Sequence, residues 1–329
     1  MMCLVGSAVN DGRRHPRQNL LIFPILKSSS ACPVKMQRSG VFLKRQVEGV
    51  LMNLSRRRWL RLPVVMAATA AVATSLGVAP TAHAFLVQNH ERITRDALAP
   101  LGVDNTAMTQ ILVGPPPGAG AVGSDAFFSD EFRHIDSAKN PAEICARTQD
   151  AWNFFIPIVT GGAVPIGPNG SELLNGPSAR AAFGGLAHAL QDVYSHTNWV
   201  EDNIAVGQLD RLAPPLMPTC DPATLPPGLH SGFFDIDFSS DYPLGGCPPG
   251  GPPPGFADCH TTLNKDNFDT PRGGTPVPEQ NINEFDLASR LATTATTDLY
   301  WQVRGLIVDQ HGECAAANLF QADRHEPCW

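Results

Sequence analysis

Two stretches in the first half of the chain place apolar residues at helical spacing. The segment "NHERITRDALAPLG" predicts a short helix that is capped by Asn89 and ends near Pro100. The segment "NPAEICARTQDAWNFFIPIV" predicts a second helix, with Asn140 as its cap and Pro141 at its first position. This second helix is expected to stop near Pro157, because proline removes a backbone donor.

Two longer stretches continue the same pattern toward the carboxyl end. "SARAAFGGLAHALQDVYSHTNWV" predicts a third helix from about Ser178, and "NINEFDLASRLATTATTDLYWQVRGLIVDQ" predicts a fourth and longest one. The segments between them are rich in proline and glycine, as in "VGPPPGAGAVG" and "GGCPPGGPPPG". No alternation of period two lasts long enough to predict a strand. The pattern therefore favours an all-α fold with long Pro/Gly-rich loops.

The first 84 residues differ in character from the rest. The stretch 52–84 has an arginine-rich start that resembles a twin-arginine export signal, a mildly apolar run, and an Ala82-His83-Ala84 cleavage pattern. An ordinary Sec signal would show the same features. Its apolar run is too short and too poor in large side chains to predict a stable transmembrane segment. Residues 1–51 are expected to be a mis-assigned extension or a disordered leader, and residues 85–329 to form one domain.

Composition supports export of that domain. Residues 85–329 carry 12 Lys and Arg against 29 Asp and Glu, a net charge of −17, which disfavours long polyanions as partners. Six cysteines remain in this part, and an even number in an oxidising compartment predicts three disulfides that pin the loops. The alternative for Cys259, next to His260, is a thiolate metal ligand. We expect a periplasmic or secreted bacterial protein.

The third predicted helix carries the clearest chemistry. In "HALQDVYSHTNW", residues His188, Asp192 and His196 lie within about 80° of one another on a helix. Imidazole and carboxylate are ligands that zinc prefers, and the i, i+4 spacing lets them converge. A solvated polar face is the alternative interpretation of the same spacing. Further histidines stand in "NHERIT", "FRHID" and "CHTTLNKD", which suggests one shared centre.

These motifs resemble the superfamily of zinc-dependent phospholipase C and the fungal single-strand nucleases. The resemblance is closest to the heterokaryon-incompatibility C branch, which reads "LxHxLQDFYSHSNWVE" where this chain has "LAHALQDVYSHTNWVE". The branch also carries "HExIT", "GAxxxD…HFD", "SGYF" and "C-H…INKDS", and similar segments occur here in the same order. The resemblance covers essentially the whole of residues 85–329. It implies a multi-helix zinc phospholipase C/nuclease-like domain.

The resemblance also implies a set of ligands for up to three zinc ions. One ion would take the terminal amine and carbonyl of Phe85 with His90 and Asp192; a second would take Asp125, His134, His188 and the shared Asp192; a third would take His196, His260 and Asp266. Two positions keep alternatives: Asp130 competes with Asp125, and His230 is the reserve for His260. Phe285 stands near the place where relatives often show a histidine. An incomplete third site would weaken or abolish catalysis.

The function that the resemblance implies is hydrolysis of phosphoric esters by a metal-activated water, with Asp125 orienting that water. The substrate would be a phosphodiester, either phospholipid or nucleic acid, and a lipid substrate would bring transient contact with a membrane surface. The rival hypothesis is a non-catalytic binding or interaction module that retains part of the metal site. A disulfide-stapled structural protein is the third interpretation.

Overall fold

Helices dominate the computed structural model, which describes residues 87–116, 118–127, 129–235, 245–325 and 327–328. In these ranges the helices are α1 Val87–Leu98, α2 Asn105–Val113, α3 Gly120–Gly123, α4 Glu131–His134, α5 Pro141–Gly162, α6 Gly176–His196, α7 Trp199–Ala205, α8 His260–Leu263, α9 Glu284–His311 and α10 Glu313–Phe320. One antiparallel pair joins β1 Pro165–Ile166 to β2 Glu172–Leu173. The prediction of a mainly helical protein is confirmed. The proposed extension and signal peptide lie outside the described residues.

Helix α6 forms the centre of this fold. Every residue from Ala179 to His196 is buried, and the helix packs against α2, α3, α4, α5 and α9. Two glycines permit the close approach, because a Cβ at Gly184 would lie 1.8 Å from the Ile111 carbonyl oxygen. A Cβ at Gly185 would lie 2.5 Å from the Phe155 ring. The interpretation of α6 as a helix with a solvated polar face is therefore wrong.

The helix boundaries correct two predictions. Helix α1 already includes Val87, so Asn89 lies inside it and is not its cap. Helix α5 continues through Pro157 to Gly162, because Pro157 is exposed and water can satisfy the carbonyl that loses its partner. The cap at Asn140 is confirmed, since its side chain accepts hydrogen bonds from the backbone of α5. The fourth predicted helix is also confirmed, with a capping box from Asn283.

Three disulfides tie the loops to the helices, as the cysteine count predicts. They join Cys145 to Cys220, Cys247 to Cys259, and Cys314 to Cys328. The thiolate alternative for Cys259 is therefore wrong, and its disulfide instead fixes the entry to α8. Within the ranges that the structure describes, no helix combines the length and the apolar character needed to cross a membrane.

A partly buried ion cluster lies at the start of α9. Glu284 is only 4% exposed, and its carboxylate lies 3.8 Å from Arg272 Nη1. Arg272 Nε also lies 3.3 Å from Glu201 Oε1, which pairs with Lys265. Burial and the neighbouring Glu201 charge raise the pKa of Glu284 from its ordinary value of 4.5 to about 7.

The packing of Gly184 predicts a size-dependent loss of stability. Gly184→Ala should lower the free energy of unfolding by about 1–3 kcal/mol or more, because the methyl group meets the backbone of α2. Gly305→Ala is the matched control, since nothing lies within 4 Å of its Cβ and α9 gains about 0.5–1 kcal/mol of helix propensity. Denaturant unfolding of both metal-free variants measures the difference. Equal effects would contradict this packing.

The pKa of Glu284 predicts a pH dependence of stability. Between pH 4.5 and about 7 the folded chain holds a proton that the unfolded chain has lost, so stability falls as pH rises through this window. The contribution is at most about 1.4 kcal/mol per pH unit. Unfolding of Glu284→Gln across this window should show a shallower slope than the parent protein. An unchanged slope would show that the carboxylate ionises normally.

Candidate metal centre

The Asp192 carboxylate lies between imidazoles from three parts of the chain. Its Oδ1 is 3.3 Å from His90 Nε2, and its Oδ2 is 3.1 Å from His188 Nε2 and 3.2 Å from His134 Nδ1. The last two nitrogens are 3.2 Å apart, so these three atoms form a nearly equilateral triangle. Ligand atoms about 2.0–2.1 Å from a tetrahedral zinc stand about 3.3 Å from one another. The spacing therefore fits one face of a zinc tetrahedron.

Asp125 completes this group from the 3₁₀ turn Ser124–Phe127. Its Oδ1 lies 3.8 Å from His188 Nε2, and neither carboxylate oxygen has a hydrogen-bond partner among the described residues. Burial raises the pKa of the Asp125 carboxyl to about 7. Of the nearby charges, that of His90 lowers this pKa and that of Asp192 raises it. Asp130 is held elsewhere, 2.9 Å from Arg133 Nε. Asp125 and not Asp130 thus joins the group.

A second region, here called the distal group, is formed by Asp136, His196 and His260. Asp136 Oδ1 lies 3.2 Å from His196 Nδ1 and 3.1 Å from His260 Nδ1. Asp266 Oδ1 lies 3.3 Å from the other nitrogen of His196, Nε2. Two carboxylates therefore flank opposite edges of one imidazole. His260 Nε2 has no hydrogen-bond partner in the described part of the chain, which leaves it available to a cation.

The histidine rings are oriented by hydrogen bonds on the side away from the centre. His188 Nδ1 lies 2.7 Å from the Ala121 carbonyl oxygen, so that nitrogen carries the proton and Nε2 keeps its lone pair. His90 Nδ1 lies 2.6 Å from Gln191 Oε1, and the Gln191 amide in turn donates to threonine hydroxyls of α1 and α9. Such partners fix the tautomer and direction of metal-binding imidazoles. The hydrogen bond to His90 gives a structural reason for the glutamine in the "LQD" motif, which is Gln191.

Burial and charge set opposite pKa shifts across the centre. Burial, together with the His90 charge, lowers the pKa of His188 to about 3, so its imidazole is neutral. Burial disfavours the Asp192 anion, but His188, His196 and His90 hold its pKa well below the ordinary value. Burial likewise opposes protonation of His196, yet Asp136 and Asp192 raise its pKa well above 6.5. A metal ion at the distal group must therefore displace a proton from His196.

A strained turn directs His134 and Asp136 to different groups. Ile135 and Ser137 have φ values of 51° and 55°, in the left-handed region that is uncommon for residues other than glycine and rarest for β-branched residues such as isoleucine. Each such residue costs about 1–3 kcal/mol, which the surrounding structure must offset. The turn makes His134 face Asp192 while Asp136 faces the distal group. The sequence prediction missed Asp136, although it stands in the quoted "FRHID" segment.

The structure brings together most of the residues predicted as ligands. Eight lie in the two regions described above: His90, Asp125, His134, His188, Asp192, His196, His260 and Asp266. Phe85 lies outside the described residues. His230 lies apart, with its imidazole 2.9 Å from Asp258, so it does not replace His260. Ligation by each of these residues stays a prediction.

Comparisons of this chain with models of protein families, with curated proteins and with solved structures found no match. The site itself therefore defines the class. The described part of the chain contains three buried groups whose ligand atoms lie within 4.8 Å of one another: His90, His188 and Asp192; Asp125, His134 and His188; and Asp136, His196 and His260. Each of these groups can hold a metal ion. The protein is a mostly helical one with a candidate multi-metal centre.

The shared carboxylate predicts a large loss of metal from one substitution. Asp192→Asn should reduce bound zinc by more than His90→Ala or His134→Ala, because Asp192 faces both imidazole groups with different oxygens. His230→Gln is the control, since its His–Asp pair stands outside the centre. Equilibrium dialysis of metal-free protein followed by elemental analysis gives the counts. Equal zinc in Asp192→Asn and His230→Gln would contradict the shared site.

Proposed function

We propose that this protein is a zinc-dependent hydrolase of phosphodiesters, related to the phospholipase C and single-strand nuclease superfamily that it resembles. One observation carries the proposal. The two oxygens of Asp192 face different imidazoles, as a carboxylate shared by two cations would. Paired metal ions are typical of enzymes that displace a leaving group at phosphorus.

The donor set favours zinc as the metal. The groups offer imidazole nitrogens and carboxylate oxygens, and the six cysteines after residue 84 are all in disulfides. Zinc accepts mixed nitrogen and oxygen ligands in tetrahedral geometry, whereas calcium and magnesium prefer oxygen alone. The fit of the triangle formed by His134, His188 and Asp192 to a tetrahedral face points the same way.

The chain's own residues have distinct tasks in this proposal. Bound zinc ions would acidify a water molecule and neutralise charge on the phosphate oxygens. Asp125 is the most exposed of these ligand candidates, at 7%, and its unpartnered oxygens can hold the attacking water and accept its proton. His188, fixed by Ala121, and His90, fixed by Gln191, keep their lone pairs directed at the centre. The rings need no reorganisation when a substrate binds.

The reacting group and the charge of the domain determine which substrates should be compared. A phosphodiester in a phospholipid or in nucleic acid presents the same reacting group, and the net charge of −17 in residues 85–329 favours the lipid or a short oligonucleotide over a long polyanion. A lipid substrate would require transient contact with a membrane surface. Three disulfides fit an exported protein, periplasmic or secreted, folded in an oxidising compartment.

Turnover of a chromogenic phosphodiester tests the proposal. The protein should hydrolyse bis(p-nitrophenyl) phosphate, lose this activity with a chelator and regain it with zinc. Asp125→Asn should lower kcat about 100-fold or more while the protein still binds zinc through its histidines. His230→Gln should keep full activity.

The same experiment distinguishes the rival hypothesis. Bound zinc without turnover of the chromogenic ester, a short-chain phosphatidylcholine or an oligonucleotide would favour the non-catalytic binding module. Activity that persists in the metal-free protein would contradict a metal-dependent hydrolase.

A further inference from the structure

Lys265 is a fully buried cation beside the distal group. Its side chain is 0% exposed, and Nζ lies 3.0 Å from each of three acceptors: the carbonyl oxygens of Thr197 and Leu263, and Glu201 Oε1. An ammonium has three donors, and all three are used. Burial of a charge is unfavourable unless it is paired and hydrogen-bonded, and the three acceptors meet that condition.

The segment that carries Lys265 has no helix or strand of its own. Helix α8 ends at Leu263, and residues 264–266 lie against the end of α6. The Lys265 backbone N–H donates to the Ser195 carbonyl oxygen at 3.1 Å. Its position therefore depends on contacts with other elements and not on a regular backbone ladder.

Asp266 follows directly and receives contacts from both sides. Its carboxylate accepts a hydrogen bond from the Ser195 hydroxyl and lies 3.3 Å from His196 Nε2. Its carbonyl oxygen accepts from Asn89 Nδ2 at 2.8 Å, next to His90 in α1. A shift of this segment would therefore move the carboxylate away from the distal group.

We propose that Lys265, held by Glu201, is the positioning residue that places Asp266 as a metal ligand of the distal group. This inference rests on the proposed function. It assigns a purpose to the last residue of the "SHTNWVE" motif, Glu201, which the catalytic interpretation leaves unused. The hydrogen bonds from Lys265 to Glu201, Thr197 and Leu263 are here called the clamp. The clamp joins α7, the end of α6 and the 264–266 segment, so that a carboxylate on an irregular segment is as fixed as one on a helix.

Metal titration of a Lys265→Met variant tests the proposal. Metal-free protein is titrated with Co²⁺, a probe with visible absorption. This variant should bind the distal ion about 10- to 100-fold more weakly, which is the usual loss when a residue that supports a metal ligand is replaced. The ion bound by the His90, His134 and His188 side of the centre should keep its affinity and its absorption bands. Adding Lys265→Met to His196→Ala should cause no further loss of metal.

Arg180→Met is the matched control for loss of a buried cation. Arg180 is 6% exposed and donates to the carbonyl oxygens of Leu319 and Asn318, away from both regions. It should lower stability but leave cobalt affinity unchanged. Glu201→Gln, which keeps the hydrogen-bond acceptor, is the milder second variant and should weaken the distal ion a few-fold.

Three outcomes would overturn the inference. Unchanged distal affinity in both Lys265→Met and Glu201→Gln would show that Asp266 is placed without the clamp. An equal loss in Arg180→Met would show that destabilisation alone weakens the site. Failure of the unmutated protein to bind cobalt or zinc at all would reject the proposed function itself, and is distinguishable because every variant would then resemble the parent.

Discussion

Burial of polar groups on α6 is the constraint on which the rest of the structure depends. A helix enclosed on all sides carries His188, Asp192 and His196 in its interior, where an unpartnered imidazole or carboxylate is strongly unfavourable. In the structure, these imidazoles are paired with carbonyl oxygens and carboxylates. Each imidazole directs one nitrogen to a protein acceptor and the other to a carboxylate. Once His196 has given up its extra proton, these imidazoles present convergent lone pairs, which is the arrangement a metal ion requires.

The fold brings the partners of α6 from distant parts of the chain. Helix α1 contributes His90, the turn after α3 contributes Asp125, α4 contributes His134, and the segment from α8 onward contributes His260 and Asp266. Glycines in α6 allow α2 and α5 to pack closely against it, and a disulfide next to His260 fixes the entry to α8. Rigid elements thus hold most of the centre, and the irregular 264–266 segment is the exception that needs Lys265.

The sequence predicted the parts of this arrangement that depend on local spacing. The i, i+4 pattern of "HALQDVYSH" placed three side chains of α6 correctly, and the predicted cap Asn140 sets the start of α5. Local spacing could not predict positions that depend on tertiary contacts. Asp136 reaches the distal group only through the left-handed turn at Ile135, and Asn89 bonds to Asp266 and does not cap α1. A position that depends on backbone strain or on contacts 177 residues away has no local signature.

Anomalous X-ray diffraction at the zinc edge, on crystals grown with zinc, tests the central claim most directly. The account predicts one strong peak among His134 Nδ1, His188 Nε2, Asp192 Oδ2 and Asp125 Oδ1, and a second between Asp192 Oδ1 and His90 Nε2. A third is expected beside the Nε2 atoms of His196 and His260. Peaks confined to surface residues, with Asp192 paired only to protonated histidines, would contradict it.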